Sequence, residues 1–273
     1  MLRVTHAQLV GALQAVGVKQ GEGLMVHAST QLLGFPEGGV EMYYNALSEV
    51  LGLGNGIGTL VLPAFNFAFA RGEPFDQKST PSEHVGALAE YVRSRPEAYR
   101  SMHPMHSVTV VGRHARELVS IDTPGAFDVG SVFERMVELD FKLLLLGADV
   151  YYTTMIHYCE RRAKVPYRYW KDFTGEVRLI GRPSQVRTYR MFVRDMEIDP
   201  DVNATPVRIE LENRGQWSSV DLNYGKIASC RFQDFVVAAQ DLLAVSPWVL
   251  VVNRPDKINP PGYVDDHDSV ENG

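Results

Sequence analysis

The sequence predicts an α/β fold: a single large domain with a central mixed sheet flanked by helices and an antiparallel C-terminal elaboration. Over the first 165 residues, short apolar runs typical of buried strands alternate with helical patterns. After residue 174, short segments typical of antiparallel strands replace them. A length of 273 residues suffices for one domain. We therefore expect one domain over residues 1–273, with its core at about 5–175, a divergent elaboration at about 176–262 and a polar tail at 263–273.

The first half contains the elements of the predicted sheet and its covering helices. Thr5 can cap a helix that buries Leu9, Leu13 and Val16. The run Lys142–Leu146 is bounded by a turn residue and is too short for a helix. The predicted strands are Gly23–His27, Thr59–Ala64, Ser107–Val111 and Lys142–Leu146. The predicted helices are 5–16, 40–51, 84–94, 113–119, 131–138 and 153–164.

The second half predicts fewer elements. Val177–Ile180 and Gln185–Val193 indicate short antiparallel strands. A helix over about 231–244 precedes a strand at Trp248–Val252, and the acidic tail Tyr263–Gly273 is expected to fray.

Composition excludes several classes of protein. Lys and Arg number 27 against 33 Asp and Glu, so the net charge is −6 and no bulk positive charge exists for a nucleic acid. The apolar stretch Phe235–Val252 is broken by polar residues and Pro247, so no membrane span and no membrane partner are expected. Cys159 and Cys230 lack the spacing of common zinc sites or of a disulfide scaffold. These features predict a cytoplasmic protein without a bound metal.

The glycines between Gly52 and Gly58 do not form a dinucleotide fingerprint. They follow a helix and precede a strand, whereas a Rossmann loop follows a strand and opens a helix. A helix C-cap with a tight turn is the favoured interpretation. The sequence also lacks a Walker A lysine, so nucleotide hydrolysis has no support.

Two loops have ambiguous chemistry. His27-Ala28-Ser29-Thr30 ends a predicted strand with small hydroxyl residues, which suit either phosphate binding by free backbone N–H groups or a simple connection. His103 and His106 flank Pro104 ahead of another strand, but no neighbouring residue supplies a third metal ligand. Either histidine can equally be structural.

The strongest local signal follows the strand that ends at Gly147. Thr153 can cap the next helix, which places His157 in its first turn and Glu160 three residues later on nearly the same face. A helix N-terminus would lower the pKa of His157 and keep its imidazole neutral as a base. The alternative is a His157 packed in the core, with Glu160 paired to Arg161 or Lys164 in solvent.

Several segments in a fixed order over roughly residues 20–175 resemble the aminoglycoside 3-N-acetyltransferase family, antibiotic N-acetyltransferases unrelated to the GNAT fold. The segments are Val26-His27-Ala28-Ser29 with Leu33-Gly34, Gly58-Thr59 to Pro63-Ala-Phe65-Asn66, Phe75-Asp76 with Thr80-Pro81-Ser82 and Gly86, Arg100 to Val108 with Gly112, Leu145-Leu146-Gly147, and Thr153 to Glu160 with Val165-Pro166-Tyr167.

The resemblance implies an acyl-CoA-dependent transferase, with acetyl-CoA as the default co-substrate, that acylates an amine of a small-molecule acceptor. The acceptor would be an aminoglycoside, an amino sugar or a nucleotide-linked amino sugar, and the enzyme a small oligomer such as a homodimer. The implied catalytic residues are His157 as the base and Glu160 as its support, with Ser107 lining the site. The tetrahedral oxyanion also needs hydrogen-bond donors, which either backbone amides or Ser107 could supply. The implied coenzyme A residues are His27, Ser29, Thr30, Asn66, Thr80 and Ser82. The implied acceptor residues are His103, His106, Asp149 and Tyr152.

Three alternatives remain open from the sequence. Cys159 could carry the acyl group covalently in place of a direct transfer in a ternary complex. The chain could also be a non-catalytic coenzyme A-binding homologue, or an amide hydrolase that uses the same histidine with water.

Overall fold

The computed structural model describes residues 2–253, and its elements alternate as the sequence predicts. The strands are β1 Arg3–Val4, β2 Gly23–Ala28, β3 Phe35–Pro36, β4 Thr59–Pro63, β5 Phe75–Asp76, β6 Tyr99–Arg100, β7 Val108–Gly112, β8 Lys142–Leu146, β9 Arg168–Arg178, β10 Gln185–Arg194, β11 Ser218–Leu222 and β12 Gly225–Arg231. The helices are α1 His6–Ala15, α2 Val40–Leu51, α3 Ala87–Arg93, α4 Ala115–Ser120, α5 Val132–Glu138, α6 Met155–Ala163, α7 Thr205–Asn213 and α8 Phe232–Val245. Short 3₁₀ turns lie at Thr30–Leu33, Leu53–Asn55, Ala68–Arg71 and Val150–Tyr152.

The centre of the molecule is a seven-stranded mixed sheet with the order β11-β12-β8-β2-β4-β7-β6. β2 pairs in parallel with both β4 and β8, while β7 and β12 pair antiparallel to β4 and β8 respectively. The predicted mixed sheet flanked by helices is therefore confirmed. The carboxyl ends of the three parallel strands meet at one edge, where open α/β sheets bind their ligands.

Both faces of this sheet are covered. In β8, Leu143 and Leu145 contribute to the core beneath α4 to α8, while Leu144 and Leu146 contribute to the core beneath α1 to α3. A strand buried on both faces needs a continuous apolar run, and this run is why the sequence predicts β8 correctly.

Most predicted helices are present, with ends set by backbone geometry. Thr5 caps α1 by accepting a hydrogen bond from the Gln8 N–H, and Gly52 ends α2 in the left-handed conformation, as predicted. α3 starts later than the predicted residue 84 because His84 and Gly86 both have positive φ. α6 starts at Met155; its N-cap is Thr154, and the Thr153 hydroxyl caps nothing, contrary to prediction.

The C-terminal elaboration is an antiparallel hairpin, but it starts earlier than predicted. β9 runs from Arg168 rather than from Val177. It pairs with β10 from Arg168 to Val177 and with β5 through Val177 and Arg178. Most residues of β9 are exposed or half-buried, so polar side chains are tolerated along the strand. The apolar pattern that would predict a strand is therefore weak in its sequence.

The remaining predictions for this half are incomplete. The predicted strand Trp248–Val252 is wrong: the segment is a turn that makes only an isolated bridge between Val202 and Val251. The sequence did not predict α7, β11 or β12, and β12 supplies the antiparallel neighbour of β8. The tail Tyr263–Gly273 lies outside the described residues.

None of the helices within residues 2–253 has both the length and the apolar character required to span a bilayer.

Candidate active site

A histidine and a buried carboxylate form the centre of the candidate site. His157 lies in the first turn of α6, and its Nδ1 is 2.7 Å from Oε2 of Glu160. The Glu160 side chain is 0% exposed and that of His157 is 29% exposed. The i, i+3 spacing predicted from sequence therefore gives a supported imidazole with one edge open.

Arg168, the first residue of β9, completes this group. Its Nε lies 2.8 Å from the same Oε2 of Glu160, and its side chain is only 10% exposed. The alternative in which Glu160 pairs with Arg161 or Lys164 in solvent is thus wrong. No local pattern identifies Arg168, because its contact with Glu160 depends on how the chain turns between the end of α6 at Ala163 and the start of β9.

The charges fix the protonation state of the pair. Burial lowers the pKa of His157, the Arg168 charge lowers it further, and Glu160 only partly opposes them. The sequence predicts a lowered pKa of His157 from the helix N-terminus, but burial is the largest cause. Burial tends to raise the pKa of Glu160, but the hydrogen bond and charge of His157 and the charge of Arg168 outweigh it and lower that pKa. At neutral pH the arrangement is therefore a carboxylate beside a neutral imidazole.

Aromatic rings surround this histidine. Phe127 packs edge-on against His157 with centroids 5.8 Å apart, and against His106 at 5.3 Å. Phe65 and Phe67 in turn contact His106 at 5.3 Å and 5.5 Å. His157 and His106 thus stand beside an apolar wall of phenylalanine rings.

A cleft of ≈ 580 Å³ opens at the carboxyl ends of β2 and β4. The predicted residues that line it are His27, Ser29, Thr30 and Tyr152, and Phe65, Phe67 and Thr154 join them. The lining combines hydroxyl groups with apolar rings, which suits a ligand with polar and apolar parts. Burial lowers the pKa of His27 to about 4, so it lines the cleft as a neutral group.

Gly147 lets the chain that follows β8 pass close to the loop that follows β2 and carries Ser29. Its φ is +71°, and a Cβ at this position would lie 2.4 Å from the Ser29 carbonyl oxygen. Only glycine permits this approach without displacing the loop that carries Ser29 and Thr30.

Other predicted coenzyme A residues have their polar atoms engaged within the protein. The Asn66 amide donates to the Pro81 carbonyl and accepts from the Ala68 N–H. The Thr80 hydroxyl accepts from the Asp76 N–H at 2.8 Å. Ser82 is the exception, since its buried hydroxyl has no hydrogen-bond partner in the part of the chain that the structure describes. None of the three lines the cleft, and their coenzyme A contacts stay predictions.

Ser107 occupies a structural position. Its hydroxyl donates to the Ala64 carbonyl at 2.8 Å and accepts from Arg100 Nε at 2.9 Å, and the residue is fully buried. Because its single proton is engaged, we assign it no oxyanion role.

His103 is buried and His106 is half-buried beside the aromatic wall. His103 Nδ1 accepts the His106 N–H at 3.0 Å, and burial lowers the pKa of both imidazoles, for His103 to about 4. Among residues 2–253, no group of three or more His, Cys, Asp or Glu side chains could hold a metal ion.

The two predicted acceptor residues of the 149–152 loop line different clefts. Tyr152 is 63% exposed and lines the cleft beside Ser29, whereas Asp149 lines a second cleft of ≈ 400 Å³ with Glu212 and Asp221. Asp149 also caps the following 3₁₀ turn by accepting the Tyr151 N–H.

Cys159 is fully buried, and burial raises its thiol pKa well above the usual range. A nucleophilic acyl carrier needs a thiolate and access to the substrate, and Cys159 has neither. Both cysteines are free.

The family model for aminoglycoside 3-N-acetyltransferase matches residues 25–244. Aminoglycoside N(3)-acetyltransferase III from Salmonella sp is 32% identical over 197 residues, which cover 67% of this chain and 68% of that protein.

Solved structures share the fold. A structure described as AAC-IIIb binary with CoASH has a TM-score of 0.77 at 22% identity and covers 89% of this chain and 97% of its own. A histidine-to-alanine mutant of aminoglycoside acetyltransferase AAC(3)-IVa in complex with a gentamicin has a TM-score of 0.76 at 24% identity, with 94% of both chains covered.

Proposed function

The chain belongs to the aminoglycoside 3-N-acetyltransferase family, and from that premise we propose that it transfers an acetyl group from acetyl-CoA to an amine of an amino sugar or aminoglycoside, with His157 as general base. The observation that carries this proposal is the 2.7 Å contact between His157 Nδ1 and a fully buried Glu160. A buried carboxylate that holds a partly exposed neutral imidazole is the arrangement expected of a general base.

The contact fixes which nitrogen acts. Ionised Glu160 can only accept a hydrogen bond, so the proton of neutral His157 resides on Nδ1. Nε2 then carries the free lone pair. As the acceptor nitrogen attacks the thioester carbonyl, Nε2 takes its proton, and Glu160 stabilises the imidazolium that forms.

The transfer is proposed to occur directly in a ternary complex. The acceptor nitrogen forms a bond to the acetyl carbon and the carbon–sulfur bond breaks. The departing sulfur takes up the proton that His157 received from the acceptor nitrogen, leaves as coenzyme A, and the imidazole is neutral again. Proximity of the two substrates can contribute about 7–11 kcal/mol and the base about 10²–10⁴-fold. The buried state of Cys159 supports this route over a covalent one.

We propose the cleft lined by His27, Ser29 and Thr30 as the donor side. Solved relatives bind coenzyme A in one case and a gentamicin in another, which supports a thioester donor and an amino-sugar acceptor here.

The test is thiol release from acetyl-CoA across aminoglycosides, free amino sugars and nucleotide-linked amino sugars. His157→Ala should lower amine-dependent release by about 10²–10⁴-fold. His114→Ala is the matched control, because His114 Nδ1 contacts Glu117 at 2.8 Å with the same spacing but Glu117 is 38% exposed. Equal losses in both variants, or release that needs no amine, would contradict the proposal.

A further inference from the structure

A cleft of ≈ 740 Å³ lies at the β6 edge of the central sheet, apart from the residues around His157. Five cations line it, namely Lys78, Arg93, Arg95, Arg100 and Arg182, and its lining contains no carboxylate. The whole chain carries a net charge of −6, so this concentration of positive charge is not a general property of the surface.

The cations differ in how far neighbouring carboxylates neutralise them. Arg93 is held by Glu90 at 2.5 Å and Arg95 by Glu97 at 3.0 Å. Arg182 has only Asp122, at 3.9 Å, and within residues 2–253 Lys78 forms no ion pair. Lys78 and Arg182 are thus exposed cations with most of their charge available to a ligand.

Arg100 contributes charge from inside the wall. It is 5% exposed, and its guanidinium donates to three neutral oxygens: Ser107 Oγ and the carbonyls of Ala64 and Thr80. A buried guanidinium without a carboxylate partner leaves a net positive field in a region of low dielectric constant.

The walls of the cleft are fixed. The Gln77 side chain is 8% exposed; its amide donates to the Arg100 carbonyl, and its oxygen accepts the Ile180 N–H at 2.9 Å. One buried glutamine therefore ties the turn at 77–79, the edge strand β6 and the tip of the β9–β10 hairpin together. The backbone segments that carry Lys78, Arg100 and Arg182 are therefore held together before any ligand arrives.

A second observation is independent of charge. Thr109 lines the cleft and is 1% exposed, yet its hydroxyl has no hydrogen-bond partner among residues 2–253. Buried hydroxyl groups are usually satisfied, so an unpaired one in a ligand-sized cleft indicates a missing polar ligand. Phosphate oxygens accept hydrogen bonds from arginine, lysine and hydroxyl donors alike.

We infer that this cleft binds a phosphate-bearing ligand through Lys78, Arg182 and the hydroxyl of Thr109, between walls fixed by Gln77. The ligand can be free phosphate, a nucleotide or the phosphorylated end of the acyl donor, since the recognising chemistry is the same. The inference does not rest on the proposed transfer reaction, because binding is measured without an acceptor and without turnover.

The test is calorimetric titration of the whole protein with inorganic phosphate, adenosine 3′,5′-bisphosphate, coenzyme A and dephospho-coenzyme A. In Lys78→Ala/Arg182→Ala we expect Kd to rise at least about tenfold for the recognised probe. Arg3→Ala/Lys19→Ala removes the same charge from residues that do not line the cleft, and it should leave Kd unchanged. Circular dichroism verifies that all variants fold.

Thr109→Val provides a second, nearly isosteric test, and it should weaken binding several-fold while retaining the fold. A loss shared by all phosphate probes supports a general phosphate site, and a loss confined to coenzyme A identifies the donor as the source. No saturable binding of any probe to the wild type, or equal affinity in the wild type and Lys78→Ala/Arg182→Ala, would overturn the inference.

Discussion

The shared contact of His157 and Arg168 with Glu160 predicts opposite pH responses for two substitutions. Glu160 raises the pKa of His157 and Arg168 lowers it. Glu160→Gln should therefore lower that pKa further, while Arg168→Gln should raise it. Because a general base acts only when neutral, the acidic limb of kcat/KM should move to lower pH in Glu160→Gln and to higher pH in Arg168→Gln.

The loss in rate follows from the same contacts. Glu160→Gln removes a charge-assisted hydrogen bond of 2.7 Å, which stabilises the imidazolium. Such a bond contributes about 1.5–3 kcal/mol, so kcat/KM should fall by roughly 10- to 150-fold. Arg168→Gln retains this bond, and its rate loss at neutral pH should be smaller.

Stability has to be separated from catalysis in this experiment. Glu160 is 0% exposed and Arg168 10%, and removal of one partner of a buried ion pair costs about 3–5 kcal/mol. The pH profiles are therefore measured at a temperature where circular dichroism shows each variant folded.

Glu117→Gln is the matched control, since it alters the exposed His114–Glu117 pair. It should change neither the position of the acidic limb of kcat/KM nor the value of kcat/KM. Limbs that move in the same direction, or that stay in place in both variants, would refute the assignment of His157 as the base in this electrostatic environment.

Further substitutions test the remaining assignments. Cys159→Ala should keep kcat within about twofold, and a collapse of kcat in the folded variant would restore the covalent route. Ser107→Ala should lower the free energy of unfolding by about 1–3 kcal/mol, because Arg100 and Ala64 lose a buried partner, with little change in kcat. The pKa of His103 is about 4 in the folded state against 6.5 normally, so the unfolded chain binds the proton first and stability falls as pH drops from 6.5 to 4. Urea titrations at both ends of this range should show a loss of roughly 3 kcal/mol from His103, which His103→Gln should remove. Gly147→Ala should raise KM for acetyl-CoA, because its Cβ would lie 2.4 Å from the Ser29 carbonyl oxygen, and an unchanged KM would show that the Ser29 loop is not part of the donor site.

The parts of the fold that the sequence predicted are those whose patterns are local. The buried run of β8 and the amphipathic α2 were placed almost to the residue, because each pattern reports burial directly. β12 was missed, since Gly225–Arg231 contains glycine and serine and resembles a loop until β8 is known to lie beside it. Its strand character comes from its partner rather than from its own residues.

The site divides in the same way. His157 and Glu160 could be paired from sequence because three residues of helix bring them together. Arg168 could not, because its contact with Glu160 depends on the turn of the chain between α6 and β9, which no helical spacing predicts. Ser107 and Asn66 were also predicted as site residues, and the side chain of each forms hydrogen bonds inside the protein that no sequence pattern shows. Sequence shows that a polar group is present but not whether its partner is already inside the protein.

The position of β8 between β2 and β12 has a consequence for synthesis on the ribosome. One edge of β8 finds its partner in residues already made, but the other remains open until Gly225–Arg231 has emerged. During that interval a nascent chain exposes the hydrogen-bonding edge of a strand composed of four consecutive leucines. Open apolar edges recruit other chains, so a fragment ending near residue 175, although it contains His157 and Glu160, should aggregate rather than fold.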